Sequence, residues 1–199
     1  RAVQAASGQP ILEIARSFTG QPGFPILTAR SPDCVRTRGD DIQLTQRRFA
    51  MDSASRTDEA WEIPLVARRG DEIVRAVLDA RAAGRVEMTT GCLPYLVNAG
   101  QTGFFRVLYD TANFEQLRAN FRTLDTPDQL GLLLDYWAFA RSGDATFANY
   151  LDLVAQLPAD ANPALVDDTM GSLAALAGYA HGRPSERAVN TFVLNTLRP

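Results

Sequence analysis

The chain contains a single histidine, His181, and all 20 of its basic residues are arginine. One imidazole cannot supply the two or three His ligands of a hydrolytic zinc centre, so no complete H-E-x-x-H site lies in this sequence. The absence of lysine rules out Schiff-base and P-loop lysine chemistry. A GC-rich coding sequence is the simplest source of the arginine bias. The two cysteines, Cys34 and Cys92, are too far apart for a Cys-x-x-Cys redox motif or a metal knuckle. They read as two small buried residues, and a disulfide stays open if the compartment is oxidising. His181 lies in Ala-His-Gly-Arg-Pro at an expected helix end, where an imidazole interacts well with free carbonyls. No Gly-x-Ser-x-Gly elbow is present, and Ser172 and Ser185 fall on expected helices or caps. We therefore assign no catalytic, cofactor-binding or metal-ligating residue in this chain.

The acidic pairs are Asp40-Asp41, Asp58-Glu59, Asp71-Glu72 and Asp167-Asp168. Three sit between expected strands, where Asp favours local turn hydrogen bonds. Neighbouring strand residues point to opposite faces, so such a pair is not a catalytic dyad. None fits a calcium loop. The formal charge of -3 gives no basic excess to draw nucleic acid or anionic lipid. Apolar runs such as Leu130 to Leu134 are far too short to span a bilayer, so we expect no membrane span.

Positioning elements follow from hydrophobic period. Residues 9–18 read as a helix that ends at Gly20, and the Pro-Gly-Phe-Pro run after Gln21 breaks the chain. From there to about residue 110 the period is two, with short strands expected at 24–28, 42–50, 61–66, 72–78, 85–89, 95–98 and 104–109. Pro64 cannot donate to a ladder and suggests an edge or a bulge. Seven short strands separated by turn residues argue for a β-sandwich. After Asp110 the period becomes 3.6. Phe114, Leu117, Phe121 and Leu124 share one helical face, and Thr126-Pro127-Asp128-Gln129 reads as a capping box worth about 1 kcal/mol. Further helices are expected from Asp144 as a cap, from Asn162-Pro163, and from Ser185. Leu165, Val166, Met170, Leu173, Leu176 and Ala177 are expected inside the second of these, and Val189, Phe192, Val193 and Leu197 inside the last. Short links between antiparallel helices suggest helical hairpins of a bundle or solenoid. The expected fold is thus multi-domain α and β: a β-sandwich followed by an all-α, solenoid-like helical-hairpin region.

The segment Gly103-Phe104-Phe105-Arg106-Val107-Leu108-Tyr109 is similar to an aromatic RNA-binding strand, but Thr102 replaces the required basic residue before the glycine. Phe104, Arg106 and Leu108 alternate against Phe105, Val107 and Tyr109, the pattern of a two-sided strand, and we expect no nucleic-acid partner. Over Tyr95 to Asp110 the sequence resembles a stretch of the aminopeptidase N-like zinc metallopeptidases. That stretch runs from an Asn through a Gly-containing turn to a Gly, two aromatics and Arg-Val-x-Tyr-Asp. Gln21-Pro22-Gly23-Phe24-Pro25, Leu44-Thr45-Gln46-Arg47-Arg48-Phe49 and Trp61-Glu62-Ile63-Pro64-Leu65 resemble three further landmarks of that family, in its order and rough spacing. Phe18 stands where the family usually has a Trp, and Leu108 where Asn is common.

The resemblance implies a non-catalytic portion of a zinc aminopeptidase that removes N-terminal residues from peptides. Residues 1–20 would be the helical tail of a missing catalytic domain, 21–110 the β-sandwich linking domain, and 111–199 the start of a C-terminal α-helical domain. In the parent that helical domain closes over the active-site cavity. Zinc would belong to the parent and not to this chain, which should be inactive alone. The implied partners are the catalytic domain of the same polypeptide and, in the parent, peptide substrates. The chain opens at Arg1 with no initiator Met, and we expect it to be cut from something longer. Self-association through a truncated helical face is expected in turn. The alternative is a stand-alone β-sandwich plus helical protein-binding module.

Overall fold

A computed structural model describes residues 2–31, 41–57, 59–80, 83–89, 91 and 94–196. Cys34, Cys92, Asp40, Asp58 and Leu197 lie outside the described residues. The fold is mixed α and β: two small sheets, and seven helices among the described residues, with the C-terminal region helical. The strands are β1 (Pro25–Arg30), β2 (Ile42–Arg48), β3 (Ile63–Arg69), β4 (Glu72–Leu78), β5 (Ala83–Val86), β6 (Tyr95–Val97) and β7 (Arg106–Tyr109). The helices are α1 (Ala2–Ser7), α2 (Ile11–Thr19), α3 (Thr111–Ala119), α4 (Thr126–Ser142), α5 (Phe147–Val154), α6 (Pro163–Ala180) and α7 (Glu186–Thr196). Helix α1 had no counterpart in the hydrophobic pattern.

One sheet has the order β5-β2-β1-β7 and the other β4-β3-β6. Most neighbours are antiparallel, but β1 and β7 run parallel, with Ile26 opposite Arg106 and Ala29 opposite Tyr109. Strand β3 is central in its sheet at Ala67–Arg69, yet at Pro64 it has the edge that the proline suggests. The physical reason is local: β6 reaches only Ala67 to Arg69, so at Pro64 the strand is unpaired on that side and no donor is missed there. Strand β7 alternates as its residues require. Phe105, Val107 and Tyr109 are buried, while Phe104 is 71% exposed.

The apolar residues form one continuous core. Ile26, Leu27, Ile42 and Leu44 of the first sheet meet Ile63, Leu65 and Ala67 of the second. The same cluster runs on through Phe114, Phe121, Leu133 and Phe139 to Tyr150, Leu153, Leu165 and Leu173. Burial of this kind contributes roughly 1.5–3 kcal/mol for each large side chain.

Helix ends follow the sequence in part. Gly143 takes a left-handed conformation (φ 78°) and stops α4, and Asn162 caps α6 by accepting from the Ala164 N–H at 3.0 Å. Four expectations are corrected. Phe121 lies on a 3-10 turn (Phe121–Thr123) beyond α3, not on the helix with Phe114. The residue at the N-cap of α4 is Asp125, not Thr126, and its side chain makes no cap bond because Arg68 takes the carboxylate. The residue capping α5 is Thr146, in a reciprocal box with Asn149, and not Asp144. In α6, Val166 and Met170 are exposed rather than inside.

Candidate functional site

The residues that carry the sequence motifs converge where the sheets meet helices α3 and α4. Each is explained by a bond it makes. Asn98 sits in the left-handed region (φ 77°) and is buried. Its Oδ1 accepts from the Gly103 N–H at 2.7 Å and its Nδ2 donates to the Gly103 carbonyl at 3.0 Å, so one side chain closes the turn between β6 and β7. Gly103 must be glycine because a Cβ would meet the Phe105 ring at 2.2 Å. The Tyr109 hydroxyl accepts from the Val97 N–H at 3.0 Å and donates to the Val97 carbonyl at 3.1 Å. Asn113 does the same for Tyr95, accepting from its N–H at 3.0 Å and donating to its carbonyl at 2.9 Å. The outer edge of β6 is thus satisfied by side chains, as buried backbone groups require.

Asp110 closes the motif. Its Oδ1 caps α3 by accepting from the Asn113 N–H at 2.8 Å, and its Oδ2 accepts from the Ser31 N–H at 3.1 Å. The upstream landmarks act likewise. Gln46 is buried and pairs with the Trp61 backbone, accepting from its N–H at 2.8 Å and donating to its carbonyl at 3.0 Å. Gln21 Nε2 donates to the Ala60 carbonyl at 2.8 Å. Gly23 (φ +90°) lies against the Arg48 side chain, which a Cβ would meet at 2.7 Å.

A second set was not legible as a site. Three carboxylates of α4 and the loop after it each take an arginine from the strand region. Asp128 is 1% exposed, and its Oδ2 accepts from Arg68 Nη2 of β3 at 2.7 Å while its Oδ1 accepts from the Gly100 N–H at 2.7 Å. Asp135 accepts at Oδ1 from Arg106 Nη1 of β7 at 2.8 Å and at Oδ2 from the Val107 N–H at 2.8 Å. Asp144 accepts from Arg47 of β2 at 2.6 Å and forms an ion pair with Arg56 at 2.9 Å. Asp128 and Asp135 are seven positions apart, two helical turns, and so share a face. Between them Gly131 leaves the space that the Gln101 side chain fills. The signal that could have found them is two acids at that spacing in an otherwise apolar helix, where a charge has to be paired.

Burial sets the electrostatics. It pushes Asp128 above the ordinary Asp value, against the lowering by the Gly100 amide and Arg68. It raises Asp135 to about 6, with Arg106 and the Val107 amide opposing. Arg106 lies 5.7 Å and 5.3 Å from the ring centroids of Phe24 and Phe49, so its cation is also held by aromatic faces. Beside this junction, the ends of β1 and β7 and helices α3 to α5 border a cleft of about 700 Å³. Its acids, Asp110 and Asp144, are already engaged as a cap and an ion pair.

The other candidate residues stay apart. His181 is 82% exposed at the end of α6 and its Nδ1 lies 2.8 Å from Glu186 Oε1 of α7. Glu186 is held below its ordinary value by the Gly182 N–H and by His181. Asp41 pairs with Arg85 at 2.9 Å. Glu72 accepts from the Thr89 N–H at 3.0 Å. Asp167 and Asp168 lie on α6, where burial and Asp167 raise Asp168. Among the described residues no group of three or more His, Cys, Asp or Glu side chains gathers as a metal site. No helix among them is long and apolar enough to cross a membrane.

Residues 94–199 match the ERAP1-like C-terminal domain family. The chain is 28% identical over 177 residues to Tricorn protease-interacting factor F2 of Thermoplasma acidophilum, covering 88% of the chain and 21% of that protein. It is 31% identical over 137 residues to Probable aminopeptidase 1 of Saccharolobus solfataricus, covering 69% of the chain and 16% of that protein. It is 22% identical over 214 residues to Aminopeptidase N of Haemonchus contortus, covering 99% of the chain and 22% of that protein. The chain therefore spans roughly a fifth of the length of these curated relatives. With more than half of its residues matched, including the stretch from Tyr95 to Asp110 that ties sheet to helix, the chain belongs to the ERAP1-like C-terminal domain family of the M1 aminopeptidases.

Proposed function

We propose that the chain is the non-catalytic C-terminal portion of a zinc-dependent aminopeptidase that removes N-terminal residues from peptides. In this reading residues 1–20 are the tail of the catalytic domain and residues 21–110 are a β-sandwich linking domain. Residues 111–199 open a solenoid-like helical domain that closes over the active-site cavity of the parent. The observation that carries it is the junction itself. The motif residues are spent on turns, edges, caps and ion pairs that hold helix to sheet, which suits a linking role.

The partner of first importance is the catalytic domain of the same polypeptide, and peptide substrates meet the assembled parent. Zinc belongs to that catalytic domain, where it would polarise the scissile carbonyl and activate water. The exposed Val166 and Met170, one turn apart on α6, and the exposed Leu194 on α7 offer apolar side chains for self-association. The test is the reading frame upstream of Arg1: an H-E-x-x-H followed by a Glu supports the proposal, and its absence overturns it. On the purified chain, metal analysis should find no stoichiometric zinc, and a fluorogenic aminoacyl substrate should stay uncleaved. Chelator-sensitive turnover by this chain alone would refute the reading.

A further inference from the structure

Helices α5 and α6 bring together polar side chains whose bonds are not complete. The Tyr150 hydroxyl of α5 is buried and lies beside Ser172, Thr169 and Asp168 of α6. Three oxygens here, Tyr150 Oη, Thr169 Oγ1 and Asp168 Oδ2, are buried without a hydrogen bond of normal geometry among the described residues. Buried polar atoms are nearly always paired, and a carboxylate oxygen can only accept. Asp168 and Ser172 also line a pocket of about 280 Å³ between α4 and α6, with Asp167, Trp137, Arg141 and Tyr179 around it. The Trp137 and Tyr179 rings are nearly parallel (13°), with centroids 6.4 Å apart. Asp128, Asp135 and Asp144 each hold an arginine, but Asp167 and Asp168 form no ion pair among the described residues. Arg141, which shares their pocket, lies instead over the Trp137 ring at 5.9 Å from its centroid.

We propose that this pocket binds an organic cation that carries N–H donors, the ammonium or guanidinium group of a basic side chain or of a free amine. The cation donates to Asp168 Oδ2, the oxygen that lacks a donor, and to the Ser172 hydroxyl. Asp167 adds a second negative charge beside it. The carbon stem packs on Trp137 and Tyr179, whose ring faces also attract the charge. Trp137 already holds one guanidinium in this way, that of Arg141. The volume admits one such group and not a folded partner. A bare divalent metal ion fits less well, because aromatic walls supply no oxygen ligands and no third carboxylate joins the two. The site lies within the helical region and stands independently of the functional reading above.

The test is proton–nitrogen NMR on the full chain, titrated with n-butylammonium and methylguanidinium. The controls are n-butanol, which lacks the charge, and tetramethylammonium, which lacks N–H donors. The two test cations should give saturable shifts at the Trp137 indole N–H and at the amides from Asp168 to Ser172, and both controls should bind more weakly. Asp168→Asn should weaken binding about tenfold or more. Tyr179→Ala, at an exposed ring, should weaken it less and leave the fold intact. An acetylated peptide with one internal lysine separates the sources: binding tighter than n-butylammonium assigns the site to peptide side chains, and weaker binding assigns it to free amines. Equal shifts from n-butanol, shifts that never saturate, or binding unchanged in Asp168→Asn would overturn the proposal. So would Arg141 side-chain signals that move in Asp168→Asn with no cation added, because Arg141 itself would then be the partner of Asp168.

Discussion

Helix α4 and helix α7 sit in the same C-terminal region and are held in opposite ways. Helix α4 buries Leu133 and Phe139 completely, buries Asp128 and Asp135 with partners, and faces both sheets. In α7 no described residue is buried, and Leu194 is 66% exposed. Apolar packing alone would accept α4 in several rotations, because apolar residues lie all round it. The two acids select one, since any other rotation would leave a charge buried without its arginine. Helix α7 carries no such pair into the sheets. The difference teaches that polar pairing, rather than apolar content, marks where this fold is specified.

The widest gap between the two helices should appear in their cores. Phe139→Ala should cost about 3–5 kcal/mol in urea unfolding, because its ring packs against Phe49 and Tyr136. Asp128→Ala should follow at about 2–3 kcal/mol, since it strands the Gly100 N–H and one arm of Arg68. A loss below ~0.5 kcal/mol would mean that packing alone orients α4, and the comparison would fail.

Asp135 sharpens the comparison through pH. Its folded value of about 6 lies above the ordinary Asp value. Between those values the folded chain binds more protons than the unfolded one, so its contribution to stability falls as pH rises from about 4 to about 6 and is level above. The slope is worth on the order of 1–3 kcal/mol. Denaturation curves of Asp135→Asn across that window should be flatter than wild type. A smaller effect separates the two capping readings: Thr146→Ala should lower stability by about 1 kcal/mol, while Thr126→Ala should do almost nothing. Smallest of all, Leu194→Ser should leave stability within ~0.5 kcal/mol yet reduce self-association measured by light scattering.

Much of the fold was legible because burial imposes period. All seven expected strands have counterparts, and the last of them ends at Tyr109, one residue before the Asp110 cap of α3. The motif residues were legible as a resemblance, but their roles were not. Caps and ion pairs depend on what else reaches the side chain. Thr126-Pro127-Asp128-Gln129 has the composition of a capping box, yet Asp128 goes to Gly100 and Arg68, and Gln129 donates to the Phe121 carbonyl. Asp144 likewise leaves the helix it could cap for Arg47. Met170 and Val166 fit a helical period but face outward, because period tells which residues share a face and not what covers it.

The parallel pairing of β1 with β7 has a consequence for synthesis on the ribosome. Strand β1 pairs at once with β2, which follows it closely, but its other edge waits for the residues around Arg106. Until they emerge, the first sheet has an open edge, and Val97 lacks the Tyr109 hydroxyl that satisfies it. The two sheets are therefore closed late, by one short segment. Loop closure over that span is slow compared with hairpin formation. A nascent chain paused before β7 would expose a sticky strand edge, which makes the Gly103–Asp110 stretch the step that commits the chain to its fold.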